Sequence, residues 1–247
     1  MQLPEPTLTN FREGLASVLA DLLDGYALQT HRGQDKSATP QLLAETFEQL
    51  FEAMQRSAAN RQAGNPPGKD AVTELGEYAL ELFEQTLSWA SRLKLPEVYQ
   101  DLQLHIVTMA RWISRNGGEI HTLEPVVDAL AQFANSTRET GELLTLYQAM
   151  NEVVDATADV IRQDREKTNP GRPWRVLQMN RAIVATRSHQ PDVMDSAFQS
   201  LVTTLPEEAQ RFFSEGMEQM DLLNYPPHVR EVMDRYYRKW SIERSLH

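Results

Sequence analysis

The chain contains no cysteine. Disulfides, thiolate nucleophiles, iron–sulfur clusters and cysteine-ligated zinc are thereby excluded, and a reducing compartment is favoured. No run of roughly 18 apolar residues occurs, so no segment is expected to span a membrane. The first residues, MQLPEPTLTNFREG, lack a basic stretch followed by an apolar one. No secretory leader is expected, and the assignment is cytoplasmic. Basic residues are in deficit, with 24 Lys and Arg against 35 Asp and Glu, a net charge of −11. Such a surface repels phosphates and argues against nucleic acid as a partner.

Catalytic and cofactor motifs are missing as well. The histidines are His31, His105, His121, His189, His228 and His247. None follows a glutamate at the three-residue spacing of a di-iron bundle, and no His-Glu-x-x-His occurs. Gly64-Asn65-Pro66-Pro67-Gly68-Lys69-Asp70 superficially matches a phosphate-binding loop. Its glycines are one residue too close, and Asp70 stands where a magnesium-binding hydroxyl is needed. There is no Gly-x-Ser-x-Gly elbow and no dinucleotide fingerprint. No cofactor and no metal are expected. Two distant carboxylates meeting in the fold would still permit acid–base catalysis, so an enzyme with an unrecognised site stands as a third reading.

What the chain does have is helical periodicity punctuated by proline. Proline is tolerated in the first turn of a helix and disruptive further in. Asn10 with Glu13 reads as a capping box opening a first helix over 10–29. Thr39-Pro40 opens a second to about 62, Asp70 caps a third to about Leu93, and Leu95-Pro96 starts a fourth that ends at Gly117-Gly118. A fifth runs from Thr122 to Asn135, and Ser136 with Glu139 reads as a capping box for a sixth to about Arg165. After the Thr168-Asn169-Pro170-Gly171 break, helices start at Pro173, Pro191, Pro206 and Pro226-Pro227. No segment alternates with period two, so the fold class is all-α. About ten helices are arranged as antiparallel hairpins, either in an α-α superhelix or in an irregular bundle. They form a single elongated domain over 1–247, with a possible division into an acidic part, 1–167, and a neutral part, 168–247. Residues 1–170 carry 25 acidic and 14 basic side chains, whereas 171–247 carry ten of each.

One stretch has a family likeness. Trp174 and Leu177 open one helix, Met194, Phe198 and Leu201 line the next, and Pro206 ends it. These 35 or so residues resemble a tetratricopeptide unit. The resemblance implies the superhelical hairpin fold, whose usual role is binding other proteins. The leading expectation is therefore a non-catalytic scaffold or adaptor for another protein.

Two helices carry candidate sites. On the third, Glu74, Glu77, Glu81 and Glu84 share one face at spacings of three and four, either as a solvated face or as a docking strip for a basic partner. The stretch Gly171–His189, which holds the seventh at Pro173–Ser188, has four arginines and no acid. Val176, Leu177, Met179, Ile183 and Val184 read as its apolar side, with Asn180 and Arg187 inside that arc and Arg181 and Trp174 pointing away. Buried Arg187 needs a partner. Either an acid on a neighbouring helix pairs with it, or Arg172, Arg175, Asn180 and Arg187, with His189 at the rim, bind a small anion. His105, on an apolar face near Trp112, reads as a hydrogen-bonded core residue. Val229, Val232, Met233, Tyr236, Tyr237 and Trp240 form a stripe on the last helix that suits the core or a homodimer.

Overall fold

Eleven α-helices and no strand occur among residues 7–28, 38–64 and 67–242, which the computed structural model describes. Asn65 and Pro66 of the expected loop lie outside these residues, as do His31 and His247. The helices are α1 (Leu8–Ala27), α2 (Pro40–Gln62), α3 (Lys69–Arg92), α4 (Pro96–Arg115), α5 (Glu124–Ser136), α6 (Thr140–Ala156), α7 (Asp159–Arg162), α8 (Pro173–Arg187), α9 (Pro191–Thr204), α10 (Pro206–Leu222) and α11 (Pro227–Ile242). None is long and apolar enough to cross a membrane.

Six helices begin on a proline, because its missing N–H costs nothing in a first turn. The caps differ from expectation in three places. Thr7 caps α1, its hydroxyl accepting from the Asn10 N–H at 3.4 Å. Gly68 precedes α3, and Asp70 lies in that helix's first turn. The Ser136 hydroxyl donates back to the Gln132 carbonyl within α5, the competing bond that serine makes near a helix end. The helix expected to reach Arg165 stops at Ala156. There the Ile120 N–H donates to the Ala156 carbonyl at 2.8 Å and the Ala158 N–H donates to the Ile120 carbonyl at 3.0 Å. This single parallel bridge, Ile120 to Thr157, separates α6 from the short α7 and accounts for the eleventh helix.

Two compact units make up the chain. One comprises the described part of Gln2–Leu130 with Glu152–Gln163; the other comprises Ala131–Asn151 with Asp164–His247 as far as it is described. These boundaries differ from a division at 167.

In the first unit α1 packs on α2, α2 on α3, α3 on α4, and α4 back on α1. A superhelix leaves its ends open, whereas this ring closes as a four-helix bundle. Its centre is aromatic: Phe11 meets Phe51 edge-on at 5.2 Å, and Phe47 lies 4.9 Å from Phe83. All four rings are buried, each contributing roughly 1.5–3 kcal/mol by leaving water. Helices α3 and α4 come so close at Gly76 that a Cβ there would sit 2.4 Å from the Ile113 side chain. Gly117, at φ 78°, ends α4, and the Gly118 N–H donates to the Ile113 carbonyl at 3.0 Å. The returning segment is tied on by Glu152, which pairs with Arg111 at 3.0 Å and Arg115 at 2.7 Å.

In the second unit α9, α10 and α11 pack mutually, and α8 packs on α9. Phe198 sits 5.2 Å from both Phe213 and Tyr236. Val229, Val232, Met233 and Tyr236 of the α11 stripe are buried in this core, while Tyr237 and Trp240 are partly exposed.

Candidate functional site

Helix α8 turns a different side inward from the one its apolar residues suggest. Trp174, Leu177, Gln178, Arg181, Ala182, Val184, Ala185 and Thr186 are buried, and Ile183 is 42% exposed. The inward face lies about a third of a turn from the expected one. Arg181 and Trp174 therefore point in, correcting their outward assignment, and Arg181 is the arginine that sequence reasoning missed. Its Nε donates to Asn151 Oδ1 at 2.5 Å, and its Nη1 donates to Gln178 Oε1 at 3.0 Å and Ser200 Oγ at 2.9 Å. The Tyr147 ring lies 5.5 Å from the guanidinium carbon. On the same face, Trp174 Nε1 and Gln178 Nε2 are buried without a hydrogen-bond partner among the described residues. The available signal was the spacing of Trp174, Gln178, Arg181 and Ala185, an i, i+4, i+7, i+11 row.

The arginines expected to hold an anion are each engaged by the chain itself. Arg172 forms a bidentate pair with Asp164, and Arg175 forms one with Glu208, Nε to Oε1 at 2.5 Å and Nη2 to Oε2 at 2.8 Å. The hydrogen-bonded Arg175 holds the Glu208 carboxyl below its ordinary range. Arg187 has no acid; its Nη1 donates to the Ala134 carbonyl and its Nη2 to the Thr137 carbonyl at 2.5 Å. It thus satisfies acceptors left over at the end of α5. Asn180 is half-buried. His189 occupies a left-handed turn at φ 58° and packs its ring 5.2 Å from Tyr225. Arg175 and Arg187 are twelve residues apart, about 18 Å along the helix, so these residues do not converge on one small anion.

The acidic row of α3 divides in two. Glu77 is used internally: its carboxylate accepts from the His121 N–H at 2.8 Å, the Thr122 N–H at 3.0 Å and the Thr122 hydroxyl at 2.7 Å, securing the entry to α5. Glu74, Glu81 and Glu84 are exposed, and none forms an ion pair among the described residues.

Glu84 also opens onto a groove of about 420 Å³ within the first unit. Leu87, Ser88 and Ser91 of α3 line it with Glu84, facing Tyr99 and Gln103 of α4 and Glu124, Pro125 and Asp128 of α5. Three carboxylates and no basic side chain thus share the space. Burial, reinforced by repulsion from Glu124, Glu81 and Glu77, pushes the Glu84 carboxyl up. Gln103 is 7% exposed, and its amide has no hydrogen-bond partner among the described residues. Among those residues no three His, Asp or Glu side chains are arranged to hold a metal ion. Sequence reasoning found Glu84 and missed the other groove residues.

His105 departs from its expected role. It is 7% exposed, and neither ring nitrogen has a hydrogen-bond partner among the described residues. Its ring stands edge-on to Phe11 at 5.6 Å and so close to α1 that a Cβ at Gly14 would lie 3.2 Å from Nε2.

No protein-family model matches this chain, and neither a curated protein nor a solved structure matches it.

Proposed function

We propose that the protein is a non-catalytic interaction scaffold that binds a basic protein partner through the outer face of α3. The observation that carries this reading is that Glu74, Glu81 and Glu84 lie exposed at helical spacing on one helix and form no ion pair among the described residues. Carboxylates at helical spacing with no internal cation present a ready electrostatic surface to lysine and arginine. The tetratricopeptide-like α8–α9 pair is in keeping with a scaffold, as fold-level analogy only. Affinity capture with the full chain, followed by sizing of the recovered complex, tests it. A stoichiometric basic partner, lost on Glu74→Lys/Glu81→Lys and weakened by salt, is expected; equal capture by the charge-reversed variant overturns the reading.

A second reading, binding of a small anion, draws on the donor-rich buried face of α8. Arg181 has neutral acceptors, and among the described residues the Trp174 Nε1 and Gln178 Nε2 donors on the same face have none. A ligand that binds the native state raises its melting temperature. A thermal-shift titration with phosphate and acetate should stabilise the wild type and not Arg181→Gln; equal shifts in both remove this reading.

A further inference from the structure

The groove between α3, α4 and α5 has a chemistry that the outer acidic row lacks. Glu84, Glu124 and Asp128 supply negative charge from two helices, and Gln103, 7% exposed, supplies an amide from a third. Gln103 lines the groove and makes no hydrogen bond among the described residues, so its amide oxygen is open to an incoming donor. The occupant must therefore be cationic, rich in N–H donors and able to reach inward past three carboxylates. We propose that the groove receives an arginine side chain from a basic partner segment, the carboxylates pairing with its guanidinium and the Gln103 amide oxygen accepting one of its N–H bonds. This rests on the reading of α3 as a docking face.

Arginine is favoured over lysine on three counts. Its planar head carries five donors, which matches several acceptors spread over three helices. It is more weakly hydrated than an ammonium and enters a half-buried groove at lower cost. Tyr99, on the groove wall, offers an aromatic ring on which a guanidinium stacks well.

The test is fluorescence anisotropy of the full chain with two short labelled peptides, one alternating arginine with glycine and one alternating lysine with glycine. The arginine peptide should bind about fivefold or more tightly than the lysine peptide. Glu84→Gln/Asp128→Asn should weaken it about tenfold or more, a loss typical of charge-assisted bonds. Gln103→Leu should weaken it several-fold without changing the salt dependence, its melting temperature serving as the check on folding. Equal binding of the two peptides, or wild-type affinity in Gln103→Leu and in the groove double variant, overturns the proposal. If Glu74→Gln/Glu81→Gln abolishes binding while the groove variants do not, the docking face stands and the groove falls. If neither peptide binds at physiological salt, both fall. Free spermidine competing as well as the arginine peptide would mark the groove as a general polyamine site and likewise overturn it.

Discussion

Arg172 grips Asp164 with two parallel hydrogen bonds, Nε to Oδ1 and Nη2 to Oδ2 at 2.8 Å, and both side chains are 5% exposed. The remaining nitrogen, Nη1, donates to the carbonyls of Lys167 at 3.2 Å and Asn169 at 3.0 Å. One guanidinium thus organises the whole approach to α8. Arg172→Met leaves the buried Asp164 carboxylate without its cation, at a cost of about 3–5 kcal/mol, whereas Asp164→Asn should cost less, because Arg172 keeps Glu207 and two carbonyls. Asp164 sits at φ 46°, a conformation that asparagine tolerates well, so the asparagine variant reports the lost pairing rather than backbone strain. Equilibrium denaturation of both single variants and the double variant measures the coupling. Strictly additive losses would show the pair to be inert.

Arg187 should act as a clamp on the end of α5 and not as a ligand. Arg187→Ala should lower stability by about 2 kcal/mol, the scale of hydrogen bonds made by a charged group. Arg187→Lys should recover only part of this, because an ammonium lacks the fork that spans the Ala134 and Thr137 carbonyls. Faster amide exchange in the last turn of α5 is the local readout, and unchanged exchange would count against the clamp.

The close approach at Gly76 makes a sharper prediction. Gly76→Ala should destabilise the first unit by about 1–3 kcal/mol through overpacking, although alanine is the better helix former. Gly76→Ala combined with Ile113→Ala should cost less than the sum of the two single substitutions, since the Ile113 side chain is what a Cβ meets. Denaturant midpoints of the three variants decide it; a stabilised single variant would mean that the helices separate freely.

Acid stability should report His105. Burial holds its imidazole below the ordinary value of 6.5, so the folded protein keeps it neutral while the unfolded chain takes up the proton. The native state then binds fewer protons, and this contribution is present above pH 6.5 and lost as pH falls below it. The loss is at most about 1.4 kcal/mol for each pH unit. Melting temperatures measured from pH 7.5 down to about 5 should fall less steeply in His105→Leu than in the wild type. Parallel curves would show that His105 does not titrate on unfolding.

Helix starts were legible because proline and threonine act locally: Thr39-Pro40 opens α2 with the Thr39 hydroxyl accepting from the Leu42 N–H at 3.3 Å. The face of α8 was not, because its residues contradict simple periodicity. Ile183 is outside, Gln178 and Arg181 are inside, and small residues such as Ala182 and Ala185 permit the close packing. Which side is buried there is decided by what α6 and α9 offer, Asn151 and Ser200, more than by hydrophobicity. The groove was illegible for a related reason. Glu84, Gln103 and Glu124 sit on three helices and meet only through tertiary packing, so no spacing rule connects them.

The Ile120–Thr157 bridge and the Glu152 ion pairs bear on how the chain is made. The first unit is not one continuous stretch: it lacks Glu152–Gln163 until those residues emerge. By then Ala131–Asn151, which belongs to the other unit, has already been synthesised. The four helices of the ring are thus complete in sequence well before Glu152, which pairs with Arg111, is reached. A gene fragment cut after Leu130 would carry the same deficit permanently, so a design that isolates the first unit must graft residues 152–163 back by a new linker.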